Sequence, residues 1–372
     1  MSRAREVANL GSDTTNLEDI SSAYNAGALS NRNKIINGAM VIDQRNAGAS
    51  VTPTDLAYTL DRWQARQNVA SKYSAQQSST APSGFSNSLL VTSLSAYSVV
   101  STNVFYIRQN IEGFNVADLG WGTASAQTVT ISFWVRSSLT GSFGGAVNNS
   151  AVDRSYPFSY TINAADTWEK KAITIAGDTS GTWVTNSGVG VRLVFGLGIG
   201  PTLSGTAGAW AAGAFYAPTG ATSVVGTNGA TFYITGVQLE AGDVSTPFEH
   251  RSYGQELALC QRYFEKSFKQ NDAIGSATPD GRAMIITGTA TNSAIARSVE
   301  FSVEKRAAPT MSTWDRNGNS GKITTFDVAT AATENVTPSV PFGEISTKAA
   351  RIGHIGSSIS GFAFSWAAAS EL

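Results

Sequence analysis

Three features of the sequence predict an all-β fold. Short stretches alternate apolar and polar residues with period two. Gly, Ser, Asn and Pro crowd the segments between them, and no long 3.6-residue period occurs between residues 34 and 250. The clearest stretch is "TVTISFWVRSS", in which Val129, Ile131, Phe133 and Val135 share one face and Thr130, Ser132, Trp134 and Arg136 the other. Many strands joined by turn-rich loops favour an antiparallel, jelly-roll-like sandwich over an α/β fold.

The elements follow in order. Residues 1–33 form a separate lead-in, where "SDTTNLEDISSAYNAG" has the makings of a short helix capped by Ser12 or Thr14, with Gly27 beyond its end. Alone it can bury little. It is therefore either a flexible tail or a docking segment that orders on a partner through Leu10, Leu17, Ile20 and Tyr24. Residues 34–250 make the large sandwich, whose strands include "KKAITIAGD", "GVRLVFGLGIG" and "ATFYITGVQLEAG". Residues 251–267 are a helical joint. Ser252 and Gln255 stand at capping-box spacing, and Tyr253, Leu257, Cys260 and Phe264 recur at near-helical intervals as one apolar face. Residues 268–372 alternate again, in "RAMIITGTATN", "GKITTFDV" and "ISGFAFSWAAASEL", around the hairpin-like turn "DRNGNSGK". They predict a smaller C-terminal β-domain.

Composition narrows the function classes. Hydrophobic residues make up 42% of the 372, enough for a folded core. Charged residues make up 14%, against roughly 25% in an average soluble protein. The net charge of −1 and a pI near 6.2 provide no field for phosphate backbones, so nucleic acid is excluded as a partner. A single cysteine, Cys260, precludes an intrachain disulfide and reads as a small buried hydrophobe. The start "MSRAREVANLGSDTTNLEDI" has no apolar signal region, and no apolar run is long enough to span a bilayer. Synthesis in a cytoplasm, without membrane insertion, is the expectation.

Catalytic patterns are missing. His250 and His354 fall in no metal-binding spacing, and there is neither a nucleophile elbow nor a P-loop. Asp43, Asp55, Asp61, Glu112, Asp118, Asp153, Asp166, Asp178 and Glu240 are scattered, with no spacing that marks a pair for acid–base work. The sequence thus predicts a protein that is not an enzyme. A structural calcium between the first and last strands of the sandwich would draw on Asp43, Glu240 and Asp243, although turn acids in solvent explain the same residues. The aromatics are better binding candidates, because sugar C–H faces stack on Trp and Tyr. Most of them, including Phe133, Trp168, Trp183, Phe232 and Phe301, read as core. Trp210 and Tyr216 lie in the patternless loop "GTAGAWAAGAFYAPTGATS", with Trp121 of "LGWGTAS" as a further candidate.

The chain resembles bacteriophage tail-fibre and receptor-binding proteins. The likeness is carried by "NKIINGAMVIDQRN" with "YTLDRWQA", by "FYITGVQLEAGDVSTPFEHRSYGQELALCQRYFEKS", and by "FSVEKRAAPTMSTWDRNGNSGK" with "GFAFSWAAASEL". "AREVANLGS" adds a start like that of many such fibres. The resemblance implies a sandwich similar to carbohydrate-binding modules and a homotrimer. It also implies N-terminal attachment to a phage tail or baseplate protein, distal contact with a host surface polysaccharide, and residence in the virion tail. It transfers no catalytic residue. A tailspike-type depolymerase and a capsid decoration or head fibre are the alternatives.

Overall fold

The computed structural model describes residues 31–372 except 292–293, 328–331 and 357–358. The docking candidates Leu10, Leu17, Ile20 and Tyr24 lie outside the described residues. The all-β expectation holds. Two large sheets and one two-stranded parallel pair account for the strands of residues 34–250, and the two large sheets are antiparallel throughout.

The first sheet has seven strands, in the order Tyr58–Leu60, Trp63–Gln67, Val104–Glu112, Val189–Ile199, Gly141–Asn148, Arg154–Ile162 and Ala211–Ala212. The second has five, in the order Tyr73–Ser78, Ser88–Ser93, Thr231–Ala241, Val129–Ser137 and Glu169–Ile175. Alternation decides which side chains meet between them. Val129, Ile131, Phe133 and Val135 are all fully buried. Phe133 meets Phe195 and Tyr160 of the opposite sheet, each with ring centroids 5.0 Å apart and the rings nearly perpendicular. Such edge-to-face pairs add to the area they bury.

The joint departs in part from its predicted form. The capping box is present: Ser252 Oγ accepts the Gln255 N–H, and Gln255 Oε1 accepts the Ser252 N–H at 3.1 Å. The helix ends at Gln261, however, and Phe264 already belongs to the strand Phe264–Lys266. The predicted apolar face is corrected accordingly. Tyr253 is 52% exposed, Leu257 is half-buried, and the helix turns Glu256 and Cys260 inward. The physical reason is polar: the Glu256 carboxylate accepts the backbone N–H of Asn37, which the sandwich opening leaves unpaired in its tight turn. Arg251 stands 3.6 Å from the same carboxylate.

Beyond the joint, the long strand Ile359–Ala369 organises a six-stranded sheet. It pairs along its length with Phe264–Lys266, Ala283–Thr291, Thr310–Trp314 and Ile323–Asp327. A three-stranded sheet of Ala294–Glu300, Ala349–Ile355 and Val340–Gly343 accompanies it. Asp315 closes the "DRNGNSGK" turn by accepting the N–H groups of Asn317 and Asn319. Among the described residues, no helix is long and apolar enough to cross a membrane.

Candidate functional site

The carboxylates come first, because catalysis or a metal would use them. Among the described residues, eight are buried: Asp43, Asp61, Glu112, Asp178, Glu240, Glu256, Glu265 and Asp315. Each is already committed. Asp43 accepts the N–H groups of Asn46 and Gly48, and Asp178 takes both forks of Arg154 at 2.7 Å. Glu112 accepts from Arg262 and from Tyr263 Oη, and Glu240 from Gln238 and Thr246. Asp43, Glu240 and Asp243 are not gathered, and no group of three acidic, His or Cys side chains able to hold an ion occurs among the described residues. Asp43 and Glu240 instead serve loop closure, and Asp243 is exposed.

The three predicted aromatic candidates separate into two places. Trp121 and Trp210 meet at one end of the sandwich with Trp183 and Tyr156. The indoles of Trp121, Trp183 and Trp210 are mutually edge-to-face, with centroids 4.7–5.4 Å apart, and Tyr156 lies 5.2 Å from Trp210. Each indole N–H is bound to a backbone carbonyl: Trp121 to Gln127, Trp183 to Ser180 and Trp210 to Ala176. The patternless loop therefore uses its large aromatic for its own anchoring. Trp210 pins it to the sandwich and remains half-buried, while Trp121 is buried beneath.

Tyr216 lies elsewhere, on the outer face of the seven-stranded sheet. A two-residue parallel pairing of Ser204–Gly205 with Ala217–Pro218 folds the loop back over that face. The close approach explains two glycines in the strands below: a Cβ at Gly144 would lie 2.4 Å from Pro218, and one at Gly196 3.1 Å from Ala217. Tyr216 then stacks on Tyr106, with centroids 5.2 Å apart.

A row of aromatics on another face escaped the sequence reading. It runs across the outer face of the five-stranded sheet. Trp134 and Arg136 share that face by alternation, and register brings Tyr233 opposite Arg136 and Thr235 opposite Trp134. Arg136 covers the Tyr233 ring at 5.0 Å, and Trp168 approaches the same ring at 6.1 Å. The strand then slips register between Thr235 and Gln238, at Gly236 with φ +61°. Glycine in a strand is the expected mark of such a bulge. Here it also makes room, since a Cβ would lie 2.7 Å from Phe85 and 3.1 Å from Trp134. Phe85 continues the row to Phe248 at 5.1 Å and to the exposed His250 at 5.3 Å. Trp134, Tyr233, Trp168, Phe85 and Phe248 are all partly exposed, the first two on strands of the sheet and the other three on loops beside it. Trp168, read from sequence as core, is corrected to this outer face. The usable signal was Trp134 in a polar alternation with Thr130, Ser132 and Arg136.

No family model matches the chain, and no curated protein matches it. Solved structures similar to it include carbohydrate-binding modules and a phage tailspike domain. The enzymatically active domain of tailspike protein 4 of bacteriophage CBA120 is 12% identical over 57% of this chain, with a TM-score of 0.33, and this chain spans 22% of that one. The family 11 carbohydrate-binding module of the cellulosomal cellulase Lic26A-Cel5E of Clostridium thermocellum is 13% identical, covering 54% of this chain and 99% of the module, with a TM-score of 0.26. TmCBM61 in complex with β-1,4-galactotriose is 10% identical, covering 57% of this chain and 99% of the module, with a TM-score of 0.29. The all-β class stands on the chain's own strands, and these likenesses transfer no residue role to it.

Proposed function

We propose that the chain is the adhesive part of a bacteriophage tail fibre, which attaches to a host surface glycan through the aromatic row on the five-stranded sheet. The row carries the reading. Large rings on a solvent face are costly unless something covers them, and these five stay partly exposed side by side. Sugar rings stack on such faces, while Arg136 and the exposed Lys170 beside Trp134 reach hydroxyl groups. The reading is non-enzymatic, and the full commitment of the buried carboxylates supports it. Trp210, half-exposed over Trp121, is a second stacking position.

The proposed fibre is a homotrimer, docked to a tail or baseplate protein through residues 1–33. Met284, Ile286, Val340 and Ile355 of the C-terminal β-sheets are 43–54% exposed, in keeping with burial between subunits. Adsorption of the full chain to host cells tests the site. Trp134→Ala and Trp168→Ala should each weaken binding by about 1–3 kcal/mol, the range for one aromatic stacking contact, with an unchanged melting temperature. Wild-type adsorption by both variants removes the row as the glycan site. Dissociation of the oligomer by either assigns the row to a subunit interface instead.

A further inference from the structure

The opposite sheet carries two guanidinium groups that the proposed site does not use. Arg192 pairs directly with Asn110 on one neighbouring strand and with Asn148 on the other, while Arg108 pairs with Val194. Arg108 and Arg192 are therefore diagonal neighbours on the outer face of the seven-stranded sheet, within reach of each other's long side chains. Neither forms an ion pair among the described residues. Arg108 donates Nε to Gln64 at 2.7 Å and Nη1 to Tyr106 Oη at 3.2 Å, which leaves Nη2 without a partner. Arg192 has no hydrogen bond at all, and its Nε is buried.

Two like charges on adjacent strands, partly withdrawn from water and without a counter-ion, destabilise the sheet that carries them. Burial, and then Arg108, hold the Arg192 guanidinium below its ordinary range, as an unmet charge requires. The charged groups nearby are engaged elsewhere: Arg66, opposite Tyr106, pairs with Asp55, and the Leu372 carboxyl group makes no ion pair with either arginine among the described residues. Gln64 and Tyr106 bond Arg108, and Asn110 and Tyr58 hold the Leu372 main-chain oxygen through Asn110 Nδ2 and Tyr58 Oη. Asn110 Oδ1 and Asn148 Oδ1, on either side of Arg192, are also buried without partners. Other arginines of the described structure show the contrast: Arg154, Arg262 and Arg62 each face a carboxylate.

We infer that Arg192 and Arg108 form an oxyanion site, which takes the carboxylate of an acidic sugar within a surface polysaccharide. A guanidinium fork matches a planar carboxylate with two parallel hydrogen bonds. The Tyr216 ring, partly exposed and stacked on the buried Tyr106, supplies the apolar wall that a sugar ring needs and a bare ion does not. The choice of sugar as the carrier rests on the glycan-attachment reading above. The site itself lies on the other sheet and shares no residue with the aromatic row.

Calorimetric titration of the full chain tests it, with a glucuronate-containing oligosaccharide, the same oligosaccharide with its carboxyls reduced to alcohols, and sodium sulfate. The acidic form should bind at least about tenfold more tightly than the reduced form, and that preference should fall with added salt. Arg192→Gln and Arg108→Gln should each erase the preference, whereas Trp134→Ala should leave it intact. Equal binding of the acidic and reduced forms overturns the inference, as does a preference that survives Arg192→Gln. Sulfate binding as tight as the oligosaccharide overturns the sugar assignment and leaves a free-oxyanion site. Where Arg192→Gln fails to fold, Arg192→Lys keeps the charge without the fork and should weaken the preference; an unchanged preference again overturns the inference. Failure of the aromatic row is read separately, from the adsorption of Trp134→Ala and Trp168→Ala.

Discussion

Asp61 shows what a single residue gives up to hold this fold. Its carboxyl is fully buried, and burial pushes it up to about 6 although Arg45 and two Gln44 donors favour the charged form. A carboxyl raised in the folded state binds more protons there than in the unfolded chain. Its ionisation therefore costs nothing below about pH 4 and progressively more up to about pH 6, with a plateau on the order of 3 kcal/mol. Asp61→Asn should lose hydrogen-bond quality by a constant amount but gain on the wild type as pH rises from 4 to 6.5. Thermal unfolding of both proteins across that range checks this, and a difference independent of pH would count against a perturbed Asp61. Sequence disclosed little at this scale. Alternation places Trp134 on the polar side, but nothing in the chain shows that Phe85, Phe248 and Trp168, from three separate loops and turns, come to lie beside it. Trp210 bonds a carbonyl 34 residues away, which no local pattern records.

Elements were far more legible than residues, because their cause is local. Period-two alternation showed which face of Val129–Ser137 enters the core, whereas Val104–Glu112 is buried on both faces, and the capping box marked the first turn of the helix. The inward face of that helix was not legible, since a nine-residue helix is too short for periodicity to outvote one carboxylate that pairs with a distant backbone N–H. Two outcomes follow for it. Leu257→Asp, in the small cluster with Ile36, Ile42, Cys260 and Tyr263, should lower the melting temperature, whereas Tyr253→Ala should not. The neighbouring strand offers a stronger test. Lys305 and Glu265 form a buried ion pair, and Lys305 also donates to the Gln261 carbonyl while Glu265 accepts the Ser302 N–H. Lys305→Met leaves a buried carboxylate without its cation and should cost about 3–5 kcal/mol. Lys305→Met combined with Glu265→Leu should recover part of this in denaturant unfolding, because the Gln261 and Ser302 backbone groups stay unpartnered. A double variant no more stable than the single would show that the pair itself adds nothing.

At the scale of the whole molecule, the question is whether the two β-units unfold together. The sequence suggested two β-domains with a helical joint between them. The contacts across the joint are charged and anchored from both ends of the chain's second part. Arg262 and Tyr263 seize Glu112 of the seven-stranded sheet, and Gln44 Nε2 bonds the Phe264 carbonyl at 2.8 Å. The last residues then return to the first unit. Glu371 is clamped between Arg45 and the buried Arg62, whose guanidinium also lies 3.5 Å from the centre of the Tyr263 ring. Arg306 donates to the carbonyls of Ser370, Glu371 and Ser187, which belong to both units. Residues so far apart in sequence could not be joined by any reading of local pattern. The geometry predicts one cooperative calorimetric transition for the wild-type chain. Glu371→Ala strands the Arg62 charge in a buried site, a loss of about 3–5 kcal/mol for such a broken pair. Because that loss falls on the joint rather than on either core, the variant should unfold in two separate transitions, the C-terminal unit first. Its smaller core, in which Phe362 and Phe364 are the central rings, gives it less buried area to rely on. Two transitions already present in the wild type would mean that the ionic joint does not couple the units. A single lowered transition in Glu371→Ala would mean that the remaining contacts, led by Glu112, are sufficient to do so.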